Sequence, residues 1–302
     1  MTLARDIASP ASLKELSHLI SNRDGRILFV CGATDFIIDL KIGHLSKPDL
    51  AVDISRLPEL SFIESDTDCF RIGAATSFTR ILQDAVLGRH FNCLVKAVEV
   101  IGSVQIRNRG TIGGNIATAS PCGDTLPVLW CLDAEVSILG KDGQLRKAPI
   151  DEVILGDRQT CLGNGDLITE VKIPKLNNGS HLSAFQKVGR RGVMTISKLN
   201  LCAVVKYDES SNRIDAARVA AGSIGGIPLR LTSAEQILER RRVDRELIRD
   251  FVDHLPVMID QAIPGRISRP YKRHAIKGLG EDVMHDLFAE KTGLQREDAV
   301  PA

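Results

Sequence analysis

Residues Gly102-Ser-Val-Gln-Ile-Arg-Asn-Arg-Gly-Thr-Ile-Gly-Gly-Asn-Ile-Ala-Thr-Ala-Ser-Pro-Cys-Gly-Asp124 carry the densest local signal in the chain. Gly110, Gly113 and Gly114 are expected to supply positive φ and a close approach of backbone to a ligand. Thr111, Asn115, Thr118 and Ser120 add neutral hydrogen-bonding groups, which suit a phosphodiester held without a tight ion pair. Asp124 has two readings: it caps the apolar helix expected around 126–132, or it accepts hydrogen bonds from sugar hydroxyls.

Upstream of this segment, Ser12 and Glu15 form a capping box ahead of Leu13, Leu16, Leu19 and Ile20, which line one helical stripe. Arg26-Ile-Leu-Phe-Val-Cys31 reads as a buried strand running into Gly32-Ala-Thr-Asp35. A helix follows from Phe36 and ends at Gly43, and Leu50 to Ile54 is a second strand. The turn at Gly32 also has two readings: a helix start capped by Thr34 or Asp35, or an anion site built from free N–H groups at that start. Strand 69–73, helices 78–86 and 91–101, a hairpin turning at Lys141-Asp-Gly143 and a strand 167–173 closed by Pro174 complete this half.

Lys175-Leu-Asn-Asn-Gly-Ser180 is polar and turn-forming, and a domain boundary is expected there. Beyond it, 182–188, 199–207 and 214–221 read as antiparallel strands, the last two joined by 208–212. Two helices follow, the first opened by Thr232 or Ser233, and a last one begins near Ser268. Gly278 and Gly280 predict a break in that last helix, and a frayed tail is expected after Gly293.

Composition excludes several functions. The 302 residues carry 39 Lys and Arg against 38 Asp and Glu, with 43% hydrophobic residues, so neither disorder nor a broad nucleic-acid-binding field is expected. The Arg-rich stretch 240–249 is interleaved with acids and reads as a solvated helix face. No apolar run approaches the roughly 18 to 20 residues that span a bilayer, and the N-terminus has no signal-peptide core, so a cytoplasmic protein without membrane contact is expected. The seven cysteines are scattered singly, without a spacing that fits zinc, an iron–sulfur cluster or a disulfide framework. Neither a P-loop nor G-x-G-x-x-G is present.

Gly32-Ala-Thr-Asp35 after an apolar strand, followed by Gln105 to Asp124, resembles the two flavin-binding segments of the molybdenum hydroxylases, the family of xanthine dehydrogenase, aldehyde oxidase and carbon monoxide dehydrogenase. Ser183-Ala-Phe-Gln-Lys-Val-Gly-Arg190 and Ile196-Ser-Lys-Leu199 extend the resemblance across most of the chain. It points to the medium-chain, FAD-binding subunit, most similar to the flavin part of bacterial xanthine dehydrogenases. The implied fold is α+β: an FAD-binding domain over 1–176 of the vanillyl-alcohol oxidase and molybdenum hydroxylase type, with subdomains 1–58 and 59–176. A small C-terminal α+β domain over 181–290 and a tail over 291–302 follow.

Carried over residue by residue, the resemblance implies that Phe29, Val30, Cys31, Gly32, Ala33, Thr34, Asp35 and Phe36 wrap the pyrophosphate. Ile101 lies against the ring system or adenosine, and Thr111, Gly113, Gly114, Asn115 and Thr118 contact phosphates and ribitol. Asp124 holds a hydroxyl, Ile168 is an apolar wall, and a lysine reaches the flavin from the strand holding Gln186 and Lys187. Which of those two faces the flavin is open, with Lys187 preferred and an exposed strand lysine as its other reading. Main-chain donors at both bends, near 32 and 113, are expected to grip the pyrophosphate. Cys122 departs from the family, which has an aliphatic residue there.

No catalytic side chain and no metal ligand are implied on this chain. Electrons are expected to pass from 2Fe-2S clusters of a partner to noncovalent FAD and on to NAD, with molybdopterin on a large subunit. Two other readings remain: a stand-alone oxidase of the vanillyl-alcohol oxidase type, or a degenerate subunit kept for assembly.

Overall fold

The computed structural model describes residues 3–176, 181–190 and 195–292. Of the polar boundary expected at 175–180, residues 177–180 lie outside the described residues, as does the tail after Gly293. Two compact units emerge, neither continuous in sequence: one joins 1–85, 101–120 and 133–175, the other 86–100, 121–132 and 176–302.

In the first unit, Ser12 caps the helix Leu13–Ser21 by accepting from the Glu15 N–H at 3.1 Å. The Glu15 carboxylate reaches back to the Ala11 N–H at 2.7 Å, a variant of the capping box. The stripe it orients buries Leu16 and Ile20 with Ile27, Leu50 and Val52 in one core. Those last residues belong to a parallel sheet of three strands in the order Asp6–Ala8, Leu50–Asp53, Ile27–Val30. The short helix Phe36–Lys41 follows the third, with Gly43 at φ +78° after its end.

An antiparallel sheet of five strands runs Ile63–Ser65, Cys69–Gly73, Leu167–Pro174, Glu135–Leu139, Leu145–Pro149. The hairpin between its last two strands turns at Gly143, whose φ of +81° only glycine adopts readily. The expected helix 78–86 is in fact two, Phe78–Gln83 and Ala85–His90, because Asp84 at ψ 100° leaves helical space.

In the second unit, His181–Gly189, Ser197–Asp208, Arg213–Gly222 and Leu229–Arg230 form an antiparallel sheet, and the helices Asn92–Glu99 and Thr125–Cys131 pack with it. Thr232–Leu238, Arg245–Ala262 and Arg269–Thr292 complete the unit. Arg245–Ala262 starts only at its cap, Asp244, so the stretch 240–244 is not a helix face; Arg240 sits there at φ +60° and Arg241 pairs with Asp250 at 2.7 Å.

The last helix does not break at its glycines. A Cβ at Gly280 would lie 2.5 Å from Leu255 Cδ1, so this position is small to let Arg269–Thr292 pack closely on Arg245–Ala262. Burial of Val283, Met284, Leu287 and Phe288 outweighs the roughly 1 kcal/mol that each helical glycine costs.

Candidate functional site

The first unit holds a cleft of about 840 Å³, within the usual size for a cofactor site. Phe29, Val30, Cys31, Gly32, Ala33, Thr34, Asp35 and Phe36 line it from the end of the parallel strand. Thr111, Gly113, Gly114, Asn115 and Thr118 line it from the helix Ile112–Thr118, and Ile168 from the strand Leu167–Pro174.

The two glycine segments meet through backbone. A Cβ on Gly32 would stand 2.1 Å from the Arg109 carbonyl oxygen, so no larger residue fits where the chains cross. Ala33 takes φ +58° and Asp35 is right-handed, so the chain bends sharply between the strand and the helix Phe36–Lys41. Among the described residues no acceptor takes the N–H groups of residues 32–35. Asp35 stands at the cap position without making a cap bond, and its carboxylate accepts from the Thr34 hydroxyl at 3.2 Å.

The second segment differs from its sequence reading. Residues 112–118 are an α-helix, and neither Gly113 nor Gly114 has a positive φ. Gly113 is required by space, since its Cβ would lie 2.5 Å from Ala74 Cβ. The first-turn amides are spent inside the protein: Ile112 N–H donates to Thr76 O at 3.2 Å, Gly113 N–H to Ala74 O at 3.0 Å, and Gly114 N–H to Thr111 Oγ1 at 3.1 Å. Main-chain donors toward an anion therefore come from the bend at 32–35 and not from 112–114.

The cleft is mostly uncharged where these segments meet. Burial and the Asp53 carboxylate push the Cys31 thiol above its usual range, against the opposing pull of Arg109 and Thr111, so it stays protonated. Sequence reasoning missed a charged group on the cleft wall, where Arg158 pairs with Asp39 at 2.6 Å and His44 Nδ1 lies 3.8 Å from the same carboxylate. Nothing in the local pattern around 158 signals this, because the partner comes from a distant part of the chain.

Ile101, Asp124 and Lys187 are not among the residues lining this cleft. Asp124 and Lys187 both belong to the second unit and form a buried ion pair, with side chains 6% and 7% exposed and 2.5 Å between Lys187 Nζ and Asp124 Oδ2. Lys187 also donates to Val100 O at 3.2 Å. Asn200 completes the cluster, donating to Asp124 Oδ1 at 2.9 Å and accepting from Gly222 N–H at 2.7 Å. Asp124 sits at the cap position of Thr125–Cys131 but makes no cap bond, so the capping reading does not hold. Burial pushes its carboxyl up, with the Lys187 ammonium the largest opposing pull. Lys187 is thus not an exposed strand lysine; its neighbour Gln186 faces the other way and donates to Asp286. Cys122 is half-buried in the same unit and forms no disulfide.

Residues 3–176 match the family model described as the FAD binding domain in molybdopterin dehydrogenase, and residues 183–287 match that of the CO dehydrogenase flavoprotein C-terminal domain. The nicotinate dehydrogenase FAD-subunit of Eubacterium barkeri is 30% identical over 94% of this chain and 96% of its own length. The xanthine dehydrogenase FAD-binding subunit of Escherichia coli O157:H7 is 27% identical over 94% of this chain and 96% of its own. In fold, the chain is similar to one of carbon monoxide dehydrogenase from Hydrogenophaga pseudoflava, with a TM-score of 0.85 at 23% identity over 97% of this chain and all of the other. Both family models matched in chain order, together with relatives matched over nearly their whole length, place this chain among the FAD-binding subunits of the molybdenum hydroxylases.

Proposed function

We propose that the cleft of the first unit holds one noncovalent FAD and that the chain carries electrons within a larger molybdenum hydroxylase. The open N–H groups of residues 32–35 carry this reading: a bend of unpaired main-chain donors suits a pyrophosphate. The donor set beside it also fits, since Thr111, Asn115 and Thr118 are neutral and the Cys31 thiol is protonated. Gly32 and Gly113 let the backbone segments that line the cleft pack closely, and Ile168 gives an apolar wall. Arg158, positioned by Asp39, supplies a cation at the cleft wall.

Flavin, when bound, exchanges electrons singly or in pairs and delivers hydride, so this chain has only to bind and orient it and needs no general acid or base of its own. Asp124 and Lys187, which the resemblance assigns to a flavin hydroxyl and to the flavin itself, are proposed as cofactor contacts, and Ile101 as an apolar one. Their mutual pairing and the brace from Asn200 fix the positions of both charges.

The electron donor is proposed to be the 2Fe-2S clusters of a partner, the acceptor NAD, and the third component a molybdopterin-binding large subunit. The relatives, named as FAD subunits of nicotinate and xanthine dehydrogenases, support an assembly with partner chains. None of the seven cysteines forms a disulfide. No helix among the described residues is long and apolar enough to cross a membrane. Purification of the tagged chain from its own cells tests the assembly: molybdenum, iron and FAD together with two further polypeptides or domains, and substrate-dependent NAD reduction, are expected. A chain that turns over an alcohol by itself with oxygen would instead support a stand-alone oxidase.

A further inference from the structure

The strand Ile27–Val30 is an edge strand, and the cleft runs along it. The carbonyls of Arg26 and Val30 accept from Leu50 and Ile54 beside the neighbouring strand. Hydrogen-bonding groups alternate sides along a strand, so the main-chain groups of Ile27 and Phe29 point away from that neighbour toward the open edge. One rung of that edge is already occupied. Asn164 Oδ1 accepts from the Ile27 N–H at 2.8 Å, and Asn164 Nδ2 donates to the Gly25 carbonyl at 2.8 Å. A single amide thus makes the two opposed bonds that a further strand would make.

Asn164 lies in the turn that enters Leu167–Pro174, whose first residues, Leu167 and Ile168, also wall the cleft. The other bonds of this turn are internal or reach elsewhere: Gly163 N–H to Asp166 at 2.8 Å and Arg146 to Asp166 at 2.7 Å. Among the described residues, the hydrogen bonds between this turn and the edge strand are those of Asn164.

We propose that Asn164 is a positioning residue for the cofactor. Its amide closes the first rung of the open edge, sets the distance between strand and turn, and leaves the N–H and carbonyl of Phe29 as the rung presented to the dinucleotide. The proposal rests on the FAD reading of the cleft. It is tested by titrating FAD into apo-protein, followed by flavin fluorescence, for the wild type, Asn164→Ala, Asn164→Asp and Arg146→Ala, with apo-protein melting measured in parallel. Asn164→Asp keeps the acceptor for Ile27 but sets an oxygen against the Gly25 carbonyl, and it serves if the alanine variant fails to fold. Both Asn164 variants are expected to raise the FAD Kd about tenfold: the alanine variant loses both hydrogen bonds, and the aspartate variant loses one and sets two oxygens against each other. Arg146→Ala, which loosens the same turn from outside the cleft, is expected to change Kd by less than about twofold at a similar melting temperature. Unchanged FAD affinity in the Asn164 variants, or an equal loss in Arg146→Ala, overturns the role of Asn164 while leaving the FAD reading intact. A wild type that takes up no FAD overturns both.

Discussion

Gly32 and Arg109 cross so closely that a Cβ on Gly32 would lie 2.1 Å from the Arg109 carbonyl oxygen and 2.7 Å from its carbon. Both obstacles are backbone and neither moves aside as a side chain does. Gly32→Ala is therefore expected to cost at least about 1–3 kcal/mol, the range for overpacking, and to strip the protein of flavin. Denaturant unfolding and the flavin-to-protein absorbance ratio of the purified variant check both effects.

Asn115 lines the cleft from the first turns of Ile112–Thr118, while Gly113 behind it packs on Ala74. The two positions should respond differently. Asn115→Ala is expected to raise the FAD Kd about tenfold with little change in melting, as when one or two ligand hydrogen bonds are lost. Gly113→Val is expected to destabilise the fold itself by about 1–3 kcal/mol through overpacking. Calorimetric titration and thermal melting of the two variants, side by side, separate binding from folding.

The buried pair of Asp124 and Lys187 predicts a destabilisation that depends on pH. Lys187→Met leaves the Asp124 carboxylate buried without its cation, a change that typically costs about 3–5 kcal/mol. Burial already pushes the Asp124 carboxyl up, and removal of Lys187 pushes it further. An acid whose folded pKa is raised binds its proton more tightly when folded, so stability is gained as pH falls below the folded value toward the unfolded one. The penalty of Lys187→Met should therefore be largest near neutral pH and shrink on acidification, as measured by urea unfolding at several pH values.

Two surface carboxylates have the opposite sign. Asp66 accepts the N–H groups of Asp68 and Cys69 and the Cys69 thiol, which hold its pKa at about 2. Asp208 accepts two hydroxyls and an N–H from Ser211 and Ser210, again with a pKa of about 2. Depressed folded pKa values contribute stability that is present above the unfolded value near 4 and is lost as pH falls toward 2. Asp66→Asn with Asp208→Asn should flatten the acid limb of the stability profile between about pH 4 and 2, followed by circular dichroism.

Local chemistry made much of this fold legible. Ser12, the hairpin at Gly143 and the strands 199–207 and 214–221 follow from caps, turns and patterning that act within a few residues, and the structure has them all. The resemblance carried by Gly32 and by Gly113 to Asn115 led to one cleft. The errors arose where a distant neighbour decides the outcome. Gly113 and Gly280 are small because Ala74 and Leu255 pack against them, and a glycine kept for space reads in sequence like one kept for φ. The ion pair of Lys187 with Asp124 has no local signal, since the two lie 63 residues apart, and Asn164 has none because its partners are Gly25 and Ile27.

The most direct measurement is a titration of refolded, flavin-free protein with FAD, followed by denaturation of the complex. Saturable uptake of one FAD per chain, weakened by Gly32→Ala and released intact when the protein unfolds, is the expected result. No uptake, or flavin that stays attached after unfolding, would contradict a noncovalent FAD held by the bend at residues 32–35.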